Sequence, residues 1–106
     1  MAQPLQPLIK GSDVLSFEHT PGGTVQFAHG DDHGLGTMTI AISNSPPGGG
    51  ASEHRHPCGE VFVVVAEPGD LVVVPPHTWH SFRADGDTPL RHIAAYDSAH
   101  VDTEFH

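Results

Sequence analysis

The sequence predicts an all-β domain, a sandwich or barrel, and three observations support this prediction. Gly and Pro contribute 12 and 10 of the 106 residues, and they cluster between short apolar runs, as in turns between strands. Several segments alternate apolar and polar residues with the period of two that places alternate side chains on one face of a strand. No segment shows sustained apolar spacing of three and four, so no helix is expected. A chain of this length forms one domain, residues 1–106.

The predicted strands follow one another between turn-forming clusters. Residues 1–17 are expected to form an N-terminal strand or arm, and residues 97–106 a polar tail. Continuous β-branched runs at 61–65 and 71–74 are typical of strands that are covered on both faces. In residues 37–42, an apolar row of Met and Ile alternates with a row of Thr and Ala. The complete set of strand-like patterns is residues 25–29, 37–42, 61–65, 71–74 and 90–96.

Charge and cysteine content exclude several classes of function. Four Lys and Arg against 13 Asp and Glu give a formal net charge of -9, so neither nucleic acid nor an anionic membrane surface is expected as a partner. The longest apolar run, residues 61–66, is too short to span a bilayer. The first residues lack the basic-then-apolar order of a signal peptide, so a cytoplasmic location is expected. The single Cys58 excludes an internal disulfide and zinc sites built from paired thiolates.

Residues 48–60 carry the clearest chemical signal. His54 and His56 are two apart, so on an extended segment both imidazoles leave the same face. Glu60 follows a Pro-Cys-Gly turn, and an antiparallel return would bring its carboxylate beside the two rings. His80 follows the next predicted strand. Imidazoles and a carboxylate on one face suit a divalent transition metal. We call these four residues the ligand set: His54, His56, Glu60 and His80.

The spacing of these residues resembles the two motifs of the cupin superfamily, over about residues 37–96. The matching positions are Gly48, His54, His56 and Glu60 in the first motif and Gly69, Pro75 and His80 in the second. Three positions depart from the motifs: Glu67 and His77, where the motifs have Gly, and Ala84, where the second has Asn. Since the ligand positions are intact, the departures concern turn geometry. The resemblance implies a jelly-roll barrel that binds one metal through the ligand set.

A larger departure is the short distance between the two motifs. Cupins usually carry a β-hairpin between the strand that begins at the motif Glu and the strand that follows Gly69, whereas here only residues 66–70 separate the two runs. The predicted fold is therefore a cupin-like jelly roll shortened by about two strands, with the flanking strands paired directly. Because the loss of two strands leaves an exposed sheet edge, a homodimer is expected. In this dimer the segment Leu5 to Phe17 could add a strand to the sheet of the neighbouring subunit.

Three His and one carboxylate occupy four positions of an octahedron and leave two adjacent positions open. With Fe the site could activate O2 for a dioxygenase reaction on a small organic molecule, and with Mn, Ni, Co or Zn it could support isomerase, lyase or hydrolytic chemistry. Glu60 is the candidate general base and His77 the candidate proton carrier. Two alternatives are a non-catalytic cupin that binds a ligand or metal as a sensor or accessory protein, and a structural jelly roll with a vestigial site.

Two further expectations concern the surroundings of the site. The negative net charge disfavours a strongly anionic substrate unless an arginine clamps it locally, and the candidates are Arg55, Arg83 and Arg91. His92 alternates with apolar neighbours and is expected to be a core histidine rather than a catalytic base.

Overall fold

The computed structural model describes residues 10–20, 23–65 and 69–106. These residues form strands and two single turns of 3-10 helix, at Gly11–Asp13 and Gly30–Asp32, and contain no α-helix. Within them no helix has the length and hydropathy that a membrane span requires. The strands are β1 (Ser16–Thr20), β2 (Gly23–Ala28), β3 (Thr39–Ser45), β4 (Gly50–Arg55), β5 (Glu60–Val64), β6 (Leu71–Val74), β7 (His80–Arg83), β8 (Leu90–Tyr96) and β9 (Glu104–Phe105).

The strands form two sheets in which every pairing is antiparallel. The six-stranded sheet has the order β1-β2-β3-β8-β5-β6, and the three-stranded sheet has the order β7-β4-β9. The chain crosses between the sheets repeatedly, because β4 and β7 belong to the small sheet while β3, β5, β6 and β8 belong to the large one. This arrangement confirms the predicted all-β jelly roll.

The two motif-bearing strands pair directly, as the short spacing between the motifs predicts. Val61 lies opposite Val73, and Val63 lies opposite Leu71. The amide of Val64 donates a hydrogen bond of 2.9 Å to the carbonyl of Asp70, which closes the connection. Residues 66–68, including the motif position at Glu67, lie outside the described residues. Strand β6 is consequently an edge of the large sheet.

The large sheet turns its small and polar side chains inward on β3. Thr39, Ala41 and Ser43 are buried, whereas Ile40 and Ile42 on the opposite face are only half-buried. The alternation predicted for this segment is present, but the row of Ile does not form the interior. The inward space is taken by larger groups from neighbouring strands, such as Phe27 and Tyr96, and small residues on β3 leave room for them.

Strands β5 and β6 differ from the prediction that both their faces are covered. In the single chain only one face is covered, because Val61 and Val63 are each 40% exposed while Leu71 and Val73 are 68% and 69% exposed. All four side chains lie on the outer face of the large sheet, on the side opposite Glu60 and Val74.

The C-terminal end differs from the sequence-based description, whereas the N-terminal end is described only in part. Residues 97–106, predicted as a polar tail and called here the C-terminal segment, fold back onto the barrel: Val101 is buried and Glu104–Phe105 pair with β4 as strand β9. At the other end, the described part of the predicted arm comprises a turn and the start of β1, which pairs with β2 of the same chain. The predicted strand from Leu5 onward lies outside the described residues as far as residue 9.

Candidate metal centre

Each of the three ligand-set histidines is oriented by a backbone carbonyl. The Nδ1 of His54 lies 2.7 Å from the carbonyl oxygen of Ser52, and the Nδ1 of His80 lies 2.8 Å from that of Thr78. The Nδ1 of His56 lies 2.9 Å from the carbonyl oxygen of Asp102. Because a carbonyl only accepts, all three Nδ1 atoms carry the proton. The neutral rings therefore keep their lone pairs on Nε2, which is the tautomer of a metal ligand whose other nitrogen is held by the protein.

The strands bring these rings together at one end of the barrel. His54 on β4 lies opposite His80 on β7 in register, and their ring centroids are 4.2 Å apart. One ring nitrogen from each of the three histidines lies within 4.8 Å of the other two. Glu60 begins β5, and its Oε1 lies 3.5 Å from His56 Nε2 and 3.3 Å from His80 Nε2. The structure thus brings all four members of the ligand set into one cluster.

The burial of this cluster tests whether a metal fits there. His54, His56 and Glu60 are each less than a tenth exposed, and His80 is half-buried. Within the described part of the chain, the Nε2 atoms of His56 and His80 and the Oε1 of Glu60 are buried without a hydrogen-bond partner. Leaving buried polar atoms unsatisfied is costly. A divalent cation at their centre would satisfy all of them, and the donor set of imidazole nitrogen and carboxylate oxygen fits a transition metal.

Electrostatics differ among the histidines of the cluster. Burial lowers the pKa of His54 below its ordinary value of 6.5, and the neighbouring His80 and His56 act in the same direction. The Glu60 carboxylate raises the pKa of His80, an effect that outweighs its burial. Without metal, His80 therefore takes up a proton at higher pH than His54 does.

Tyr96 is a residue of the site whose role the sequence did not reveal. It lies opposite Glu60 in the pairing of β5 with β8, and its ring meets the ring of His56 edge-on at 5.2 Å. Burial raises the pKa of Tyr96, and the charge of Glu60 and a hydrogen bond to this carboxylate add to the effect. The phenol therefore stays protonated and donates to Glu60. No pattern in the sequence pairs Tyr96 with Glu60, because this pairing depends on the register between β5 and β8.

A partly open cavity of about 80 Å³ lies beside the cluster. This is room for several waters or a small organic molecule. Apolar side chains form most of its wall, and Ser43 and His92 supply polar atoms away from the cluster. His92 is buried, as predicted, but its ring packs between Phe62 and Phe82 and lines this cavity. The lining residues outside the cluster are Val25, Phe27, Ala41, Ser43, Ala51, Phe82, His92, Tyr96, Thr103 and Phe105.

The C-terminal segment forms one wall of the site. Besides holding His56 through the carbonyl of Asp102, it places Phe105 opposite His54 in register, with ring centroids 5.9 Å apart. Glu104 receives two hydrogen bonds from the guanidinium of Arg55, at 3.0 and 3.1 Å. Composition alone suggested a solvated tail, and no local pattern in these residues indicates the long-range pairing with β4.

His77, the predicted proton carrier, lies outside the cluster. It is exposed and lines a separate surface depression together with Arg55, His56 and Asp102. Its amide donates a hydrogen bond of 2.7 Å to the carbonyl of His56. Its φ of 60° lies in the left-handed region that favours glycine. The turn expected from the motif glycine is therefore formed with a histidine in its place.

This chain is similar to a known protein family and to several solved structures. Residues 63–96, about a third of the chain, match the family model described as a cupin domain. No curated protein matches the sequence significantly. Among solved structures, the polyketide cyclase RemF from Streptomyces resistomycificus is 12% identical, with a TM-score of 0.73 over 95% of this chain and 85% of that one.

Two other solved structures extend the comparison. A cupin-2 domain protein from Rhodospirillum rubrum is 20% identical, with a TM-score of 0.70 over 100% of this chain and 83% of that one. The oxalate decarboxylase from Bacillus subtilis is 14% identical, with a TM-score of 0.72 over 99% of this chain but only 33% of that one. At these identities the likeness to solved structures concerns the fold alone. It agrees with the jelly roll, and the family match covers the second motif, with Gly69, Pro75 and His80, but not the first.

Proposed function

We propose that this chain, a member of the cupin superfamily, holds one divalent transition metal through the ligand set and acts as a metal-dependent enzyme on a small organic molecule. The observation that supports the proposal is the common orientation of the three histidines. Each Nδ1 is tied to a backbone carbonyl, so the Nε2 lone pairs are directed at one buried point that also faces Glu60.

A bound metal would supply Lewis acidity, or with Fe the activation of O2, at the positions that the four ligands leave open. The chain's own residues would orient the substrate and handle protons. Tyr96 holds the carboxylate of Glu60, which is placed to accept a proton from a molecule in the cavity. His77 shares a surface depression with His56, so its role in the proposal is to exchange protons with solvent at the outer side.

Dioxygenation is the first candidate for the reaction that the enzyme catalyses. A non-catalytic cupin that binds a ligand or metal is the alternative, because the same fold supports many functions. A structural jelly roll with a vestigial site is less well supported. Without a metal it would keep three polar atoms of the cluster buried and unsatisfied, a cost that loss of the ligands would have removed.

A cytoplasmic location is part of the same proposal. Cys58 is buried and unpaired, as is usual for a thiol in a reducing compartment.

Metal analysis of protein purified without a His tag tests the first part. We expect about one equivalent of a divalent transition metal, and we expect the double variant His56→Ala/His80→Ala to bind none. The matched control is His100→Ala, which removes an exposed imidazole outside the ligand set. Full retention of metal by the double variant would overturn the assignment. Substrate-dependent O2 consumption by the Fe-loaded protein then separates a dioxygenase from a binding protein.

The proposal also includes a homodimer formed through the outer face of the large sheet. Two cross-strand rows of apolar side chains run over β3, β8, β5 and β6 on this face. The rows are Ile40-Ala95-Val61-Val73 and Ile42-Ile93-Val63-Leu71. A contiguous apolar surface of this kind, at an open sheet edge, favours a second copy of the chain.

Light scattering measures the oligomeric state. A mass of 11.2 kDa, that of one chain, at all usable concentrations would contradict the dimer. The double variant Leu71→Lys/Val73→Lys should give this monomer mass. The control Leu35→Lys, at an exposed position outside the two rows, should leave the dimer intact.

A further inference from the structure

The placement of the basic residues limits the charge that a ligand can carry. The chain has four Lys and Arg in all, namely Lys10, Arg55, Arg83 and Arg91, and the structure describes every one of them. None of them lines the cavity. No arginine is therefore placed to clamp an anionic substrate in this cavity.

Each arginine is directed elsewhere by its position in the fold. Arg55 lies on the outer side of the site, where it pairs with Glu104 and stacks on Trp79 at 4.3 Å. Arg83 has a side chain that is 73% exposed. Arg91 is exposed and lies on the outer face of the large sheet, since its neighbours His92 and Leu90 face the other side. Neither a lysine nor an arginine side chain is therefore within the barrel to neutralise a charge on a ligand.

The cavity wall beyond the cluster is also unsuited to a carboxylate. Its side chains are mostly aliphatic and aromatic, and Ser43 and His92 are cross-strand partners on the inner face. His92 lies four residues along β8 from Tyr96, which corresponds to roughly 13 Å at the rise of a strand. These two residues are thus the polar part of the wall at the end of the cavity away from the cluster.

Charge at the cluster completes the argument. A divalent cation together with the Glu60 carboxylate leaves a net charge of one, which one negative charge on a ligand balances. A second negative charge would lie among Phe27, Phe82 and the other apolar side chains. Burying an anion there without a cation is strongly unfavourable.

We propose that this cavity selects small organic molecules that carry at most one negative charge, located at the metal, and a neutral body whose far end meets Ser43 and His92. This inference rests on the proposed metal site and specifies its substrate class: a monoanion, such as a deprotonated enol, phenol or monocarboxylic acid, and not a dicarboxylate.

Two isosteric hydroxamates provide the test, since a hydroxamate chelates a metal through two oxygens and carries one negative charge when bound. 4-Methylpentanehydroxamate ends in an isopropyl group, and succinate monohydroxamate has a carboxylate of the same shape and size in its place. Calorimetry on Ni-loaded protein at pH 7.5 should show that succinate monohydroxamate binds about tenfold more weakly or worse. The variant Phe105→Arg adds a guanidinium to the cavity wall at a side chain that is 61% exposed. It should restore much of the lost affinity.

The outcomes that contradict the selectivity can be distinguished from the outcome that contradicts the metal site. Equal or tighter binding of succinate monohydroxamate by the Ni-loaded protein overturns the selectivity while leaving the metal site in place. If that binding disappears in His92→Leu, the histidine itself is the anion clamp, and the inference is equally wrong. If neither hydroxamate binds although one equivalent of Ni is present, the open metal site is refuted and the substrate class with it.

Discussion

Replacing His77 with glycine should stabilise the protein. His77 has a φ of 60°, in a region where the Cβ of an L-residue is crowded by the carbonyl oxygen and costs about 1–2 kcal/mol relative to glycine. Glycine loses more conformational freedom on folding, a cost of roughly 0.5–1 kcal/mol. The hydrogen bond from the amide of residue 77 to the carbonyl of His56 is retained in the variant. The net gain expected for His77→Gly is therefore about 0.5–1 kcal/mol.

For a domain of about 100 residues this gain corresponds to a rise in Tm of roughly 2–6 °C. Thermal unfolding followed by circular dichroism, with metal and with chelator, measures it. The control His77→Ala removes the same exposed ring but keeps a Cβ in the left-handed region, so it should show no gain. If His77→Gly is less stable than the wild type and no better than His77→Ala, the ring makes stabilising contacts and the strain argument is refuted.

The same two variants distinguish backbone strain at residue 77 from a role of the His77 side chain in proton transfer. If His77 carries protons for the reaction, His77→Gly and His77→Ala should lose activity to a similar extent despite their different stabilities. Equal metal content in both variants and the wild type is expected, because the side chain lies outside the ligand set. Unchanged turnover in both variants would remove His77 from the proposed mechanism.

Three other predictions concern the ligand set and its surroundings. The Tm difference between metal-loaded and chelator-treated protein should be large at pH 7.5 and small near pH 5, because protons compete with the metal for imidazoles of ordinary pKa about 6.5. The raised pKa of His80 makes this competition begin early. The raised pKa stabilises the metal-free protein below pH 6.5, a contribution that is lost as the pH rises through the folded-state pKa, whereas the lowered pKa of His54 acts in the opposite direction. An equal Tm difference at both pH values would contradict the ligand set. Tyr96→Phe removes the phenol that holds Glu60 and should weaken metal binding by roughly tenfold or more, as measured by competition with a chelator. It should also lower the free energy of unfolding by about 1 kcal/mol, as measured with urea. Unchanged metal affinity would show that Tyr96 only packs against its neighbours. Deleting residues 104–106 removes β9 from beside His54 and should speed chelator-driven metal release, with circular dichroism confirming that the sheets persist; an unchanged release rate would show that the C-terminal segment does not protect the site.

Several features of this protein could be predicted from the sequence because they depend on local spacing. His54 and His56 share a face since strand side chains alternate with a period of two. The direct pairing of β5 with β6 follows from the short connection between them, as the structure confirms. The left-handed conformation of His77 could not be predicted in this way. No sequence pattern distinguishes a histidine in this conformation from an ordinary turn residue.

The tertiary structure alone decided which face of each strand is interior and what encloses the site. A period of two is symmetric between the faces, so residues 37–42 could not reveal that Thr39 and Ala41 are buried while Ile40 and Ile42 lie outside; that choice depends on the volumes of side chains on neighbouring strands. The contacts of the C-terminal segment with the site join residues 46 to 51 positions apart, and no local pattern encodes such pairing. The exclusion of every arginine from the cavity has the same origin. The sequence by itself determined the number of Lys and Arg residues and the negative charge that they leave unbalanced. Long-range packing determined that none of them lines the cavity beside the ligand set.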